Sequence, residues 1–220
     1  SIDRALASLD NREVMGVPTA DALFKAFRSA PLALPLSGMD LPIITPHDAL
    51  FGQGVAFAFN PYGKAALGYL ALRDLMGDAA FTAALHRFMA DWHGKRPLPW
   101  DMFNSFNHAG AGDHTWFFRN WFFSHNYMDL AVDGLATGGN ALLVRNYGGA
   151  AMPFDLALAY TDSSSERVHR TPAAWRADPR RTEVPIAAGK TLKSATLETG
   201  IYPDANPADN TWATDNATRH

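Results

Sequence analysis

The stretch DHTWFFRNWFFSHNYMDLAV, residues 113–132, contains a change of pattern from which the rest of the chain can be interpreted. Seven of the twelve residues from Trp116 to Tyr127 are aromatic. Asp113 is a good N-cap residue, so we expect a helix to begin near it. A surface helix could not keep so many rings away from water, and we therefore expect this helix to lie between packed layers as part of the core. The helical pattern ends near Asp129.

Beyond this point the period of the apolar residues becomes two. From Phe154 to Tyr160, large apolar side chains alternate with small or polar ones, which is typical of a half-buried strand. Glycine-, serine- and asparagine-rich turns separate the candidate strands from one another. Short strands at this spacing predict an antiparallel β-sandwich. The other candidate strands are residues 142–144, 184–186 and 194–199, and we expect the end of the chain, from Pro203 to His220, to be irregular.

Three further helices are predicted before the aromatic one. Pro61 suits the first turn of a helix, and the segment that follows, as far as Met76, is apolar on nearly all sides, as buried helices are. Gly77 is a plausible C′ residue, and Asp78 is expected to cap the next helix. That helix has one apolar stripe, and a third helix is expected after Asp101. The stripe consists of Phe81, Leu85, Phe88 and Trp92, and the third helix contains Met102, Phe103 and Phe106.

The region before Pro61 is less regular. Residues 21–28 are predicted to form a short helix. Prolines at positions 31, 35, 42 and 46, followed by Gly52 and Gly54, predict an irregular segment as far as Asn60. The complete prediction is an α+β fold with a helical lobe, residues 1–128, followed by a β-sandwich, residues 129–220.

Composition excludes several classes of protein. The 220 residues are 47% hydrophobic and 19% charged, which is typical of a globular chain and not of a disordered one. A net charge of −3 gives no general attraction to nucleic acid or to anionic membranes. No apolar run reaches the roughly 18 residues of a membrane span, and the absence of cysteine excludes disulfides and zinc-thiolate sites. We expect no signal peptide, and because the chain begins at Ser1 it is expected to be a processed product or a piece of a longer protein.

The residues alone suggest little chemistry. The histidines show no His-x-x-x-His pair and none is followed by Glu, so we interpret them as surface or capping residues and predict no metal site. Gly52-Gln-Gly54 lacks the rest of a phosphate loop, and the serines at 163–165 fit a turn. Tyr62 is the best candidate, because a tyrosine hydroxyl at the entry of a buried helix can donate to a developing oxyanion. A structural role for Tyr62 is the alternative. The arginines at 176, 180 and 181 are interpreted as a small solvated cluster.

Several segments resemble the aminopeptidase N family of gluzincin zinc metallopeptidases, and in particular a bacterial branch of it. Residues 60–67, Asn-Pro-Tyr-Gly-Lys-Ala-Ala-Leu, resemble the Tyr-x-Lys-Gly segment of that family. Residues 95–103 resemble its Lys-His-Pro-x-Pro-x-Asp-Phe-Phe segment. The order of the matching segments also agrees from about Leu41 to Trp212. The other similar segments are residues 72–77 with Phe81 and 88–92, residues 110–122 with 129–132, and residues 202–210 with Trp212.

The resemblance implies that this chain is the C-terminal part of a larger enzyme. In the family, a thermolysin-like domain carries the His-Glu-x-x-His motif and a third zinc ligand, and the helical lobe that follows supplies the tyrosine. Here Tyr62 would be that tyrosine, while the zinc ligands, the general base and the amine-binding residues are missing. Ala65 stands where the family prefers Gly. The partners implied are the N-terminal remainder and a peptide substrate, and the compartment implied is the periplasm or the exterior of the cell.

Alone, the chain is therefore expected to bind no catalytic zinc and to be inactive. Two other interpretations stay open. The parent protein could be a non-catalytic, peptidase-like relative that uses the sandwich to bind other proteins. Alternatively, the chain could be an unrelated binding module with helices and a sandwich.

Overall fold

The computed structural model describes residues 41–50, 60–108 and 112–214, and these form helices followed by two antiparallel sheets. The α+β class is therefore as predicted. The predicted helix at 21–28, the prolines at 31 and 35, and Gly52 and Gly54 lie outside the described residues. No helix in the described part of the chain is both long and apolar enough to cross a bilayer.

The described residues fall into two compact units, 41–125 and 126–214. The first contains the helices and the second contains the sheets. The predicted domains, 1–128 and 129–220, stay a prediction. In the first unit, a π-helical turn, Asn60–Lys64, leads directly into the second of five α-helices. These helices are α1 (His47–Leu50), α2 (Ala65–Met76), α3 (Asp78–Trp92), α4 (Pro99–His108) and α5 (Thr115–Phe122).

Helix α2 is buried on nearly every side, as its apolar sequence predicts, and of its residues only Ala66 is exposed. Gly77 ends it in the left-handed region, with φ of 79°, and donates its N–H to the Arg73 carbonyl at 2.9 Å. Pro61 lies in the π-helical turn and not in the first α-helical turn. In such a turn the backbone hydrogen bonds span five residues and not four, and the regular α-helix begins at Ala65.

The predicted starts of three helices need correction. Asp78 is the first residue of α3 and not its N-cap, which is Gly77; the Asp78 carboxylate accepts a hydrogen bond from Arg73 Nε at 2.7 Å. Helix α4 begins at Pro99, before Asp101, and Asp101 Oδ2 accepts the N–H of Leu98 at 2.8 Å. The N-cap of α5 is His114, and Asp113, one residue earlier, accepts the N–H of Thr115 at 2.9 Å.

Helix α5 forms the core of the first unit together with α2 and α4. The rings of Phe103 and Phe118 stack at 4.4 Å, and Phe122 packs against Tyr69 at 5.2 Å. The prediction that the aromatic helix belongs to the core is confirmed, since four of its rings are buried. The stripe of α3 is only half covered: Phe81 packs on Phe106, whereas Leu85 is exposed. The buried rings of α5 are Phe117, Phe118, Trp121 and Phe122.

The second unit contains two antiparallel sheets, with strand orders β1-β2-β5 and β4-β3-β6-β7. Leu142 of β2 pairs with Val184 of β5, and Leu156 of β3 pairs with Leu197 of β6. In β3 every second residue is buried, as the alternating pattern predicts. The strands are β1 (Leu130–Leu135), β2 (Ala141–Asn146), β3 (Phe154–Tyr160), β4 (Ser165–Arg170), β5 (Arg181–Pro185), β6 (Leu192–Glu198) and β7 (Thr211–Ala213).

The end of the chain is more ordered than predicted. The segment expected to be irregular contains a 3₁₀ turn, Pro207–Asp209, and the edge strand β7. Ser165, predicted as part of a turn, begins β4. Polar edge strands escape a search for alternating apolar residues because only one of their faces, and only part of it, meets the core.

Candidate functional site

Tyr62 lies at the middle of the π-helical turn Asn60–Lys64 and is 58% exposed. Its neighbours point the other way: Asn60 is 0% exposed, Gly63 is buried and Lys64 is 2% exposed. The turn therefore presents the phenol ring to solvent on a backbone whose other side is packed. Short π-helical turns are found frequently at functional sites.

The π-helical turn is attached to residues 41–45 by a part-buried hydrogen bond. The Nδ2 group of Asn60 donates to the carbonyl of Leu41. That segment is itself fixed, because Ile44 donates its N–H to the carbonyl of Phe122 at 3.0 Å, and Thr45 closes a local turn onto Pro42. The position of Tyr62 thus depends on contacts with the end of α5.

The chemistry available at this position is that of a phenol. An exposed phenol donates one hydrogen bond at neutral pH and can accept others. The second tyrosine of this unit, Tyr69, differs: it is part-buried, it donates to Met102 Sδ at 3.1 Å, and burial raises its pKa to about 12. Tyr69 is therefore a structural residue of the core, whereas the Tyr62 hydroxyl faces outward and can meet a ligand.

Among the histidines whose side chains the structure describes, no three converge with other acidic or histidine side chains on a common point. His86 lies in α3, His93 ends the same helix and His125 follows α5, and all three are exposed. His108 places Nδ1 2.6 Å from the carbonyl of Asn104, and His169 places Nδ1 2.6 Å from the Asp155 carboxylate. Over the described ranges, no three His, Cys, Asp or Glu side chains are arranged so that they could hold a metal ion.

The other groups considered in the sequence also lie apart from Tyr62 along the chain. Ser163 and Ser164 are in a tight turn beside Asp162, where Ser163 has φ of 67°. Arg180 is not simply solvated, because its guanidinium donates to the carbonyls of Asn146 and Tyr147. It fixes a loop of the second unit, and all three arginines, Arg176, Arg180 and Arg181, are exposed to solvent as interpreted.

The structure also brings together a set of polar side chains that the sequence analysis did not predict. Asp129, Asp204 and Asp209 act on one another electrostatically, and Asn210 donates from its side chain to Asp204. The signal in the sequence is the oxygen-rich run from Asp204 to Asn210, which the sequence analysis used only as a point of resemblance. We call Asp129, Asp204, Asp209 and Asn210 the acidic cluster.

Comparison with known proteins gives little. No protein-family profile matches the chain, and no curated protein sequence matches it. Among solved structures, it is similar to Legionella pneumophila aminopeptidase A, which was crystallised in complex with aspartic acid. The TM-score is 0.44 and the sequence identity is 16%, over 63% of this chain and 16% of that protein. The chain thus spans about a sixth of the length of that neighbour, and a likeness of this degree carries no argument about activity.

Proposed function

We propose that this chain is the C-terminal part of a zinc-dependent aminopeptidase related to the aminopeptidase N family, and that Tyr62 is its contribution to catalysis. The observation that carries the proposal is the presentation of Tyr62. The residue of the Tyr-x-Lys resemblance is the one whose hydroxyl faces outward from an otherwise packed turn.

The described residues do not fit a zinc site. The metal ligands, the general base and the residues that bind the substrate amine would have to come from polypeptide outside this chain. No step of the reaction is therefore assigned to the metal here. The N-terminal remainder of the parent and a peptide are the partners that the proposal requires, and a periplasmic or secreted location is proposed with it.

The role of Tyr62 would be electrostatic. When water adds to a peptide carbonyl, the carbonyl oxygen gains negative charge, and a donor placed at that oxygen stabilises the transition state more than the bound substrate. A neutral phenol can donate that hydrogen bond without giving up its proton. One such donor is worth roughly 3 kcal/mol, or a factor of about 10² to 10³ in rate.

The finer fold assignment belongs to the same proposal. We propose that the two sheets of the second unit face each other as a β-sandwich. Each sheet has buried apolar residues on one face, such as Leu142 of β2 and Leu156 of β3, and β1 lies against β6 and β7 of the other sheet. Two antiparallel sheets that share one apolar interior form such a sandwich in many domains.

The test is Tyr62→Phe in the full-length enzyme. We expect kcat for an aminoacyl anilide to fall by about 10² to 10³, with little change in KM, because the donor acts mainly in the transition state. Tyr147→Phe is the matched control, since Tyr147 is another exposed tyrosine but belongs to the second unit. Unchanged turnover in Tyr62→Phe would refute the role of Tyr62.

The reading frame upstream of Ser1 provides an independent test. An intact His-Glu-x-x-His motif there is expected. A frame without that motif would favour the non-catalytic, protein-binding relative instead. The chain as it stands should hydrolyse no aminoacyl anilide with added zinc, and turnover that survives repurification and responds to mutations in this chain would mean that the site has been misplaced.

A further inference from the structure

The acidic cluster joins the C-terminal segment to the start of β1. Ala205 donates its N–H to the carbonyl of Met128 at 3.0 Å, and Leu130 donates its N–H to Asp204 Oδ2 at 3.3 Å. On the other side, Leu197 of β6 donates its N–H to the carbonyl of Asn210 at 2.7 Å. Residues 203–210 therefore connect β1 to β6, immediately before β7.

The cluster has more hydrogen-bond acceptors than donors. Asp204 is well supplied, by the backbone amides of Leu130 and Asn206 and by the Asn210 side chain. By contrast, the Oδ1 atoms of Asp129, Asp209 and Asn210 are buried, and no donor among the described residues reaches them. Asn210 is only 8% exposed, so water has little access to its oxygen. A buried acceptor without a donor destabilises the fold.

The charges in the cluster oppose one another. The carboxylates of Asp204 and Asp209 face Asp129, and the Tyr127 hydroxyl donates to Asp129. Arg180 is a cation that acts nearby, on Tyr127. Charged groups of the neighbouring strands are paired elsewhere. Asp133 of β1 pairs with Arg145, Glu198 of β6 pairs with Arg167, Lys193 of β6 is exposed, and β7 has no charged residue.

A proton would relieve both problems, because it removes one negative charge and turns one acceptor into a donor. We propose that residues 203–210 are a proton-operated latch: uptake of a proton by the acidic cluster tightens the attachment of this segment to β1, and its release loosens the attachment. This proposal does not depend on the proposed peptidase function. Its structural consequence concerns β7, which pairs with β6 and would leave β6 as an open sheet edge if it detached.

The direction of the pH dependence agrees with this. Burial first, and the neighbouring carboxylates second, raise the pKa of Asp129, and burial is also the main cause that raises the pKa of Asp204. A carboxyl whose pKa is higher in the folded chain contributes stability that is complete below its unfolded pKa of about 4 and is lost as the pH rises through the folded value. The latch should be tighter at about pH 4, near the unfolded pKa, than at pH 7.

Amide hydrogen exchange tests the proposal, with each rate divided by its intrinsic rate at the same pH. The amides of Leu130, Leu197 and Ala205 report the latch, and the amide of Ile186, which donates to the Asn140 carbonyl at 2.9 Å, reports the end of the β2–β5 pairing away from Leu130. We expect the three latch amides to be at least about twofold better protected at about pH 4 than at pH 7, as for the loss of one like-charge repulsion. The Ile186 amide should not follow them.

Asp129→Asn imitates the protonated acid at nearly constant shape, and Asp209→Asn removes a negative charge that acts on Asp129. Each should raise latch protection at pH 7 toward the value at about pH 4 and weaken the pH dependence. Asp178→Asn is the matched control, because Asp178 is exposed outside the cluster and accepts the N–H of Arg180; it should leave the pH dependence unchanged. Equal protection at both pH values in the wild-type chain would overturn the proposal. So would a saturable rise in protection on adding millimolar calcium at pH 7, since the cluster would then be a cation site.

Discussion

At the scale of single residues, Gly148 shows most clearly where the backbone admits no side chain. A Cβ atom at this position would lie 2.1 Å from the carbonyl oxygen of Tyr127 and 3.0 Å from the amide nitrogen of Asp129. Both neighbours are backbone atoms and cannot rotate away. Gly148 also accepts the N–H of Tyr127 at 3.0 Å, so any shift would break a hydrogen bond.

We therefore expect Gly148→Ala to lower the free energy of unfolding by about 3 kcal/mol or more, measured by urea denaturation. Gly139→Ala is the control, because Gly139 has open space around it but a φ of +70°. It should lose only about 1 kcal/mol, the conformational penalty of an L-residue in that region. Equal losses in the two variants would show that the contact with Tyr127 is not what constrains Gly148.

The sequence predicts the role of a single residue well only where that type of amino acid has one dominant structural role. Gly77 ends a helix because its φ suits glycine, and Asp113 lies one residue before the N-cap of α5 and accepts an N–H of its first turn. The sequence could not predict that Asn60 is fully buried, because its partner is the carbonyl of Leu41, nineteen residues away. Hydrogen bonds between segments distant in sequence leave no local pattern, and the same is true of the contact between Asp129 and Asp204.

At the scale of elements, the start of α4 combines proline with a carboxylate. Pro99 is the first helical residue, where its missing N–H costs nothing, and Asp101 reaches back to the N–H of Leu98 at 2.8 Å. Asp101→Ala should destabilise the first unit by about 1 kcal/mol, because Leu98 loses its acceptor. The measurement is thermal unfolding followed by circular dichroism.

Asp78→Ala tests the same point by contrast. Asp78 is exposed at the start of α3 and pairs with Arg73, and an exposed ion pair of this kind contributes about 0 to 1 kcal/mol. We expect its effect on the midpoint temperature to be smaller than that of Asp101→Ala. If the two variants lose equal stability, the hydrogen bond from the Leu98 N–H to Asp101 does not stabilise the start of α4.

The helices and strands that the core covers most completely are the ones that the sequence predicts best. Helix α2 has a strong apolar pattern because it is covered on nearly every side. Strand β3 has one because every second residue is buried. Strand β4 has the sequence Ser-Glu-Arg-Val-His-Arg and lies at a sheet edge, so its residues are set by pairing with β3 and not by burial. The π-helical turn that contains Tyr62 could not be predicted from the sequence. A single turn with a different period produces no repeating pattern of apolar residues.

At the scale of the whole molecule, the second unit has a complete set of internal pairings. Every strand from β1 to β7 pairs within residues 126–214. Its interior is fixed by Trp175, which is buried, packs on Phe154 at 5.5 Å and donates its Nε1–H to the carbonyl of Met152 at 2.7 Å. A unit that has its own core and whose strands pair with one another can fold alone.

We therefore expect a fragment of residues 126–220 to unfold cooperatively in urea and to retain near-ultraviolet circular dichroism, which reports fixed aromatic packing. Within it, Trp175→Ala should lower the free energy of unfolding by about 3 to 5 kcal/mol, because the variant loses ring packing and leaves the Met152 carbonyl without its donor. Tyr147→Ala, at an exposed ring, should change it by less than about 0.5 kcal/mol. A fragment that keeps its strands but has no aromatic signal and no cooperative transition would show that the core around Trp175 depends on residues outside this unit.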